Sequence, residues 1–288
     1  MKKTRYKKIA LALISVVIVF STVFLIYGNL YVDVEHFDIV DENVPDSFNN
    51  YLIAHVTDYH NRDSQIVDKQ IIDSLKQEEP DIIVITGDLI DNDRVDVAVA
   101  LNLVRQLCEI APVYYVTGNH EANVLMDDVE VFTSLINGLE DAGVVVLRNC
   151  SVKITNDAGD TFNLFGIHDP YMYGGFSQIF PRAESLCNEL EFKEDEFNVL
   201  LAHHPEMLYI YSKFNVDLVF SGHAHGGQIT LFGKALLAPD QGFFPIYSEG
   251  LYDMDDTQLV LSRGIGYSSF PLRIFCNPHL VYAHIKTK

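Results

Sequence analysis

The residues best equipped for chemistry in this chain fall into short patterns: Asp58-x-His60, Gly87-Asp88-x-x-Asp91, Gly118-Asn119-His120-Glu121, His203-His204-Pro205 and Gly222-His223-x-His225. Residues two apart on an extended segment face the same side, so Asp58 and His60 reach one ion. Carboxylate, imidazole and amide oxygen together are the ligand set of divalent manganese, iron or zinc. Asp58, His60, Asp88, Asn119, His120, His203, His223 and His225 are too many donors for one tetrahedral site, whereas two ions sharing a bridging carboxylate accommodate them. Any one of these residues alone reads as a turn or surface group, so the weight rests on their occurrence together. Cys108, Cys150, Cys187 and Cys276 show no Cys-x-x-Cys spacing and read as small apolar residues, with their disulfide state open.

Each polar group follows a short apolar run, and the runs must be strands for the groups to converge. Residues 82–85, bounded by Pro80 and Gly87, read as a central parallel strand ending at Asp88. Residues 51–56 deliver Asp58 and His60, residues 113–116 end in the Asn119-His120 pair, residues 199–202 run into His203, and residues 218–220 run into His223. Helical spacing over 63–79 (Val67, Ile71, Ile72, Leu75) and 95–111 (Leu101, Val104, Leu107) alternates with the first three strands. Strand-helix alternation predicts a parallel α/β sheet, with ligands outside the carboxyl ends of its strands. Residues 30–40 alternate apolar and polar side chains and predict an antiparallel edge strand, while 144–147, 151–154, 162–167, 259–261 and 280–285 predict the remaining strands. Residues 170–196, with Tyr171, Tyr173 and Phe176 among glycines, predict a mobile loop or lid.

In this order and approximate spacing the patterns resemble the calcineurin-like metallophosphoesterases. The resemblance implies a four-layer α/β/β/α sandwich and two divalent metal ions, one held by Asp58, His60, Asp88 and His225 and the other by Asp88, Asn119, His203 and His223, with Asp88 bridging. It also implies hydrolysis of a phosphomonoester, phosphodiester or pyrophosphate bond by a hydroxide held between the ions, with His120 contacting phosphate and protonating the leaving oxygen and Asp91 orienting His120. Family members carry the ligand histidine two positions before a proline, which selects His203 over His204. His55 and His168 read as packed or supporting groups, and His168 stands where relatives often have an acidic residue. Segments 238–242, 262–266 and 271–273 resemble the membrane-anchored bacterial subgroup related to YkuE and YaeI. Some of its members act on UDP-2,3-diacylglucosamine-like nucleotide lipids, which makes such a lipid an alternative substrate. Arg263 and Arg273 are the cationic candidates for a substrate phosphate. An alternative of another class is a metal-binding surface protein whose catalysis has lapsed, against which His120 and Asp91 stand.

The 288 residues, 48% hydrophobic and 21% charged, suffice for one substantial core. Lys2, Lys3, Arg5, Lys7 and Lys8 make the first eight residues +5, leaving −25 on the rest against −20 overall. A domain that acidic is a poor partner for nucleic acid. Residues 9–27 hold no charge over nineteen positions, enough to span a bilayer, and no small-residue cleavage site follows. The basic tail before the span, with Asp33, Glu35 and Asp38 after it, predicts a single-pass cell-membrane protein with a cytoplasmic N-terminus and an extracytoplasmic catalytic domain. The organisation expected is a basic tail (1–8), an anchor (9–27), an edge strand and connector (28–50) and a catalytic domain (51–288). Its expected partners are the membrane and a phosphorylated small-molecule or lipid-linked substrate. Every candidate ligand lies at or after Asp58, so a chain starting at Tyr31 is expected to fold and keep its metals.

Overall fold

A computed structural model describes residues 2–174, 176–268 and 270–288. The first half of the chain forms α1 (Lys2–Leu30), β1 (Asp33–Asp41), β2 (Tyr51–Val56), α2 (Gln65–Glu78), β3 (Ile82–Thr86), α3 (Val97–Cys108), β4 (Val113–Val116), α4 (Asn119–Asp127) and α5 (Val129–Asp141). Then come β5 (Val145–Val146), β6 (Cys150–Thr155), β7 (Thr161–Gly166), α6 (Ile179–Asn188), β8 (Asn198–Leu201), α7 (Leu208–Tyr211) and β9 (Leu218–Ser221). Two small hairpins, β10 (Thr230–Leu231) with β11 (Lys234–Ala235) and β12 (Leu237–Ala238) with β13 (Gly242–Phe243), precede β14 (Gly250–Met254), β15 (Thr257–Leu261) and β16 (His279–Thr287).

Two six-stranded sheets, ordered β1-β16-β2-β3-β4-β5 and β14-β15-β9-β8-β7-β6, carry the architecture. Their inner faces pack on each other through Ile53, Val84, Leu164, Val199, Phe220 and Val281. The outer face of the first sheet is covered by α2, α3 and α5, whose Val67, Ile71, Leu103, Val104 and Leu135 are buried there. The outer face of the second is covered by α6 and α7, through Ala183, Leu186, Leu208 and Tyr211. Helix, sheet, sheet, helix is thus the order of layers. Central strands β2, β3, β8 and β9 are apolar almost throughout because both of their faces are buried. The parallel pairs β2/β3, β3/β4, β7/β8 and β8/β9 bring their carboxyl ends to one rim of the sandwich.

Three sequence expectations need correction. The edge strand lies at Asp33–Asp41 and pairs with β16 in parallel, not antiparallel. Alternation reports a half-exposed strand but carries no direction, and here the carboxyl-terminal strand enters between β1 and β2. Residues 170–196 are not loop throughout, since the described ones hold short 3-10 turns and then α6, with Ile179, Ala183, Leu186 and Cys187 buried. Pro181 in the first turn and the glycines before it masked that helical spacing. The third correction concerns α1. Its Tyr6–Leu30 stretch, 25 residues of mean hydropathy 3.0 in its most apolar window, is long and apolar enough to cross a membrane, and none of that window is buried. Its last turn, however, is bonded into the domain. Asn29 Nδ2 donates to the Arg273 carbonyl at 2.9 Å while its Oδ1 accepts the Arg273 N–H at 2.8 Å, the Asn29 carbonyl accepts from Arg62, and the Leu30 carbonyl accepts from Gln70 at 2.7 Å. Residues 28–30, expected in the connector, therefore belong to the helix and bond into the domain, and a chain starting at Tyr31 would lose those bonds. All four cysteines are free.

Candidate metal centre

Three strand-to-loop turns of the first sheet and two of the second meet at that rim. Asp58, His60, Asp88, His223 and His225 all adopt left-handed backbone conformations, with φ of 52°, 49°, 51°, 67° and 51°. Such conformations cost roughly 1 kcal/mol or more each for residues with a Cβ and gather where geometry serves function. The pattern glycines permit close approach, because a side chain at Gly222 would run into the Asp58 carboxylate and one at Gly118 into Asp88.

Two groups of donors form around Asp88. In the first, Asp58, His60, Asp88 and His225 each place one ligand atom within 4.8 Å of the others. His60 Nε2 is 3.2 Å from His225 Nε2, 3.5 Å from Asp88 Oδ2 and 3.9 Å from Asp58 Oδ1, and His225 Nε2 is 3.5 Å from Asp58 Oδ1. In the second, Asp88 joins His203 and His223. His203 Nδ1 donates to the Thr86 carbonyl at 2.7 Å, which leaves the Nε2 lone pair facing Asp88 Oδ2 at 3.2 Å and Asn119 Oδ1 at 3.1 Å. His223 Nε2 is held by Asp240 at 3.0 Å, so its Nδ1 is the free donor.

These groups fit divalent ions. Ligands about 2.1 Å from an ion lie roughly 3.0–3.4 Å apart at octahedral or tetrahedral angles, the range of the closest separations here. His60 Nε2 and His225 Nε2 face each other at 3.2 Å among the Asp58 and Asp88 carboxylates, an arrangement that a shared cation satisfies. Burial lowers His60 to about 3 and His225 well below its usual value, so both imidazoles keep a lone pair for a ligand bond. Burial opposes protonation of His203 too, but Asp88 and Asp58 overcome it and raise that histidine to about 10, so a cation bound at Nε2 takes the place of a proton there. Burial pushes Asp58 up, whereas at Asp88 it is outweighed by His203, His120 and His60, and Asp88 lies well below the usual carboxylate range.

His204, adjacent to a candidate ligand, has no free nitrogen. Asp169 takes its Nε2 at 2.9 Å and Glu206 its Nδ1 at 2.8 Å, and against the effect of burial these two acids hold it well above the ordinary imidazole value. His55 is buried against Phe220 with Nε2 on Thr86 Oγ1 at 2.8 Å, away from the donors. His120 stands beside His60, their rings edge to face at 4.5 Å. Its Nδ1 accepts the Asn92 N–H at 3.1 Å and its Nε2 faces Ser268 Oγ at 3.5 Å. Asp91 does not touch His120 directly, because its Oδ1 is 3.9 Å from Nδ1 and instead accepts the Asp93 N–H at 2.9 Å, while Oδ2 pairs with Arg94. The residue that bonds His120 Nδ1 is Asn92, next to Asp91 in the same turn.

Neither arginine expected to bind phosphate is available for it. Arg273 is wholly buried, and its guanidinium donates to the carbonyls of Gly266 at 2.7 Å, Arg263 at 2.8 Å and His225 at 3.4 Å. Arg263 is paired with Glu249 and, at 2.8 Å, with Asp33. Acids thus occupy Arg263, and backbone carbonyls occupy Arg273.

Sequence reasoning passed over Glu121 and Asp240. Fully buried Glu121 accepts N–H groups of Gly118 at 2.7 Å, Asp88 at 2.8 Å and Ile90 at 3.1 Å, which ties the β3 and β4 turns together. Burial and the nearby Asp88 raise it to about 7 despite those donors. Its place directly after His120 was a usable signal. Asp240 lies seventeen residues beyond His223 in a hairpin turn, within the 238–242 segment singled out by resemblance but given no role there.

A family model described as calcineurin-like phosphoesterase matches residues 51–227, more than half of the chain. The uncharacterized metallophosphoesterase YkuE of Bacillus subtilis (strain 168) is 28% identical over 249 residues, covering 85% of this chain and 82% of that protein. The uncharacterized metallophosphoesterase Cj0846 of Campylobacter jejuni is 28% identical over 273 residues, covering 93% and 68%. A Bos taurus protein named transmembrane protein with metallophosphoesterase domain is 30% identical over 250 residues, covering 80% of this chain and 52% of its own length.

Proposed function

Because this chain belongs to the calcineurin-like phosphoesterase family of metal-dependent phosphoester hydrolases, we propose that it hydrolyses its phosphoester at two divalent ions placed on either side of Asp88. The observation that carries this reading is the position of Asp88 Oδ2, 3.5 Å from His60 Nε2 and 3.2 Å from His203 Nε2, common to both donor groups. Asp58, His60, Asp88 and His225 would hold one ion, and Asp88, Asn119, His203 and His223 the other. Ions bound there supply Lewis acidity to phosphoryl oxygens and to the attacking water.

The protein's own part is to orient these groups and to hold a proton at the departing oxygen. Asp88 Oδ1 accepts the His120 N–H at 2.9 Å, which fixes the start of α4 against the centre and leaves Oδ2 for the ions. Since Asn92 donates to His120 Nδ1, the neutral ring carries its proton on Nε2, the nitrogen that faces the open side at Ser268. From there the Nε2–H of His120 donates a hydrogen bond to the phosphate and to the charge that develops on the departing oxygen, which takes its proton from water. Asp240 holds His223 and the Thr86 carbonyl holds His203 in the ring orientation that ligation needs. Glu121, through its backbone N–H bonds, sets the distance between the Asp88 and Asn119 turns.

The same reading takes α1 as a membrane span with a cytoplasmic N-terminus, supported by the basic residues that precede it. Purified full-length protein should hydrolyse 4-nitrophenyl phosphate or its bis-ester with manganese, iron or zinc, stop on chelation and resume on metal addition. Undiminished turnover after complete metal removal would contradict the proposal.

A further inference from the structure

Beside the metal centre lies an apolar cavity of about 550 Å³, lined by Ile229, Leu236, Leu237, Pro239 and Phe270. Its polar edge is made by Asp240, which holds His223, and by Ser268, which faces His120, so it adjoins the place where a phosphoester would sit. A phosphate has no use for such walls, whereas a hydrocarbon chain does. The segments that build the cavity also carry an exposed apolar rim. Phe232, Phe243, Phe244 and Ile246 are each exposed by 68% or more, an arrangement unfavourable in water for a cluster of this size.

That rim is continuous with the membrane helix. The Phe244 N–H donates to the Leu236 carbonyl, Leu236 to Ile229, and Thr230 to Ile274, and the adjoining Phe275 packs on Phe24 of α1 with ring centroids 4.6 Å apart. Phe24 lies three residues inside Tyr27, roughly 4.5 Å below the outer end of the apolar span at 1.5 Å per residue. Phe275 thus reaches the depth at which interfacial apolar side chains meet lipid. Segments 229–246 and 270–278 carry one exposed cation, Lys234, and one acid, Asp240, in a chain otherwise at −25 after residue 8, so this face approaches anionic headgroups with little repulsion.

We propose that the cavity takes the hydrocarbon chain of a phosphorylated amphiphile drawn from the bilayer that α1 crosses, with the aromatic rim resting on that bilayer. This rests on the phosphoesterase reading above, and the test separates the two. With full-length metal-loaded protein in nanodiscs, methyl-, butyl- and octylphosphonate are compared as inhibitors of whichever nitrophenyl ester is hydrolysed. Each buried methylene strengthens binding about fourfold, so burial of three of the seven added methylenes suffices for Ki to fall at least thirtyfold from methyl to octyl. The ratio should collapse towards one in Leu237→Arg and persist in Leu237→Ile. A Ki independent of chain length in an enzyme that hydrolyses the reporter overturns the cavity assignment and leaves the phosphoesterase reading intact. If no ester is hydrolysed with any metal, that reading fails, and the same three phosphonates titrated calorimetrically still test the cavity, a Kd without chain dependence overturning it. The chain contains no tryptophan, so Phe243→Trp introduces a single indole, which brominated lipids should quench. Val40→Trp, at the far end of β1, should stay bright. An unquenched indole at 243 overturns the bilayer as the source of the chain.

Discussion

Asp88 is the residue on which both ions would depend, and its replacement should differ in kind from that of its neighbours. Asp88→Asn should bring bound metal to well under one ion per chain and abolish turnover, whereas His120→Ala should keep its metal and lose roughly 10²–10⁴ in kcat. Metal content by plasma mass spectrometry, read beside activity, checks the pair. Glu121→Gln turns an amide donor towards a backbone N–H that now has an acceptor, and should cost about 2 kcal/mol in urea unfolding. An unshifted midpoint would remove Glu121 from the support of the centre. Asp217 gives a pH test away from the metals: burial raises it to about 6 from 3.8 although the Asn198 N–H and Asn43 bond to it. A carboxyl raised by folding binds its proton more tightly in the folded state. Its contribution to stability is therefore full below 3.8 and lost as pH rises through about 6. Relative to Asp217→Asn, the wild type should lose on the order of 1–2 kcal/mol between pH 4 and 6.5, the lower value reflecting partial solvent screening. Parallel stability curves would show that Asp217 is not perturbed in this way. At this scale the sequence disclosed the donors but not their restraints. Asp58, His60, Asp88 and His223 announce themselves by spacing, while Asp240 and the pairing of Arg263 and Arg273 arise from contacts between residues far apart in the chain.

Among the elements, the buried parallel strands were readable because residues 82–85 and 199–202 are apolar throughout and end in ligand-type residues. β1 was readable as a strand but not in direction, since its partner β16 lies more than 230 residues away. The boundary of α1 was misjudged for a different reason: hydropathy sees the apolar stretch, not the polar last turn that bonds to Arg273. Arg273 in turn donates to the His225 carbonyl, which makes the helix end a remote support of a candidate ligand. Asn29→Ala in the full-length protein should cost about 1–3 kcal/mol, and a chain starting at Tyr31 should melt lower still, because Arg62 and Gln70 also lose their acceptors. Thermal melts in one detergent compare the three proteins. Identical midpoints would return α1 to the role of a passive tether.

At the scale of the whole molecule, two sheets converge their carboxyl ends on one rim, and that rim is also where α1 and the apolar hairpins lie. The orientation proposed for the chain has a direct check. Protease added to intact cells stripped of their wall should remove an epitope placed at Lys288 and spare one placed before Ile9. Protection of the carboxyl-terminal epitope would reverse the topology. The central claim is that Asp88 lies between two ions, and the structure offers a rival location in His204, Glu206, His223 and Asp240, whose ligand atoms also lie within 4.8 Å of one another. Crystals of the manganese-loaded protein, measured for anomalous scattering at the manganese edge, decide between them. Two peaks about 3.5–4 Å apart, one on each side of the Asp88 carboxylate, are the expected result. A single peak, or density centred between His204 and Asp240, would contradict it.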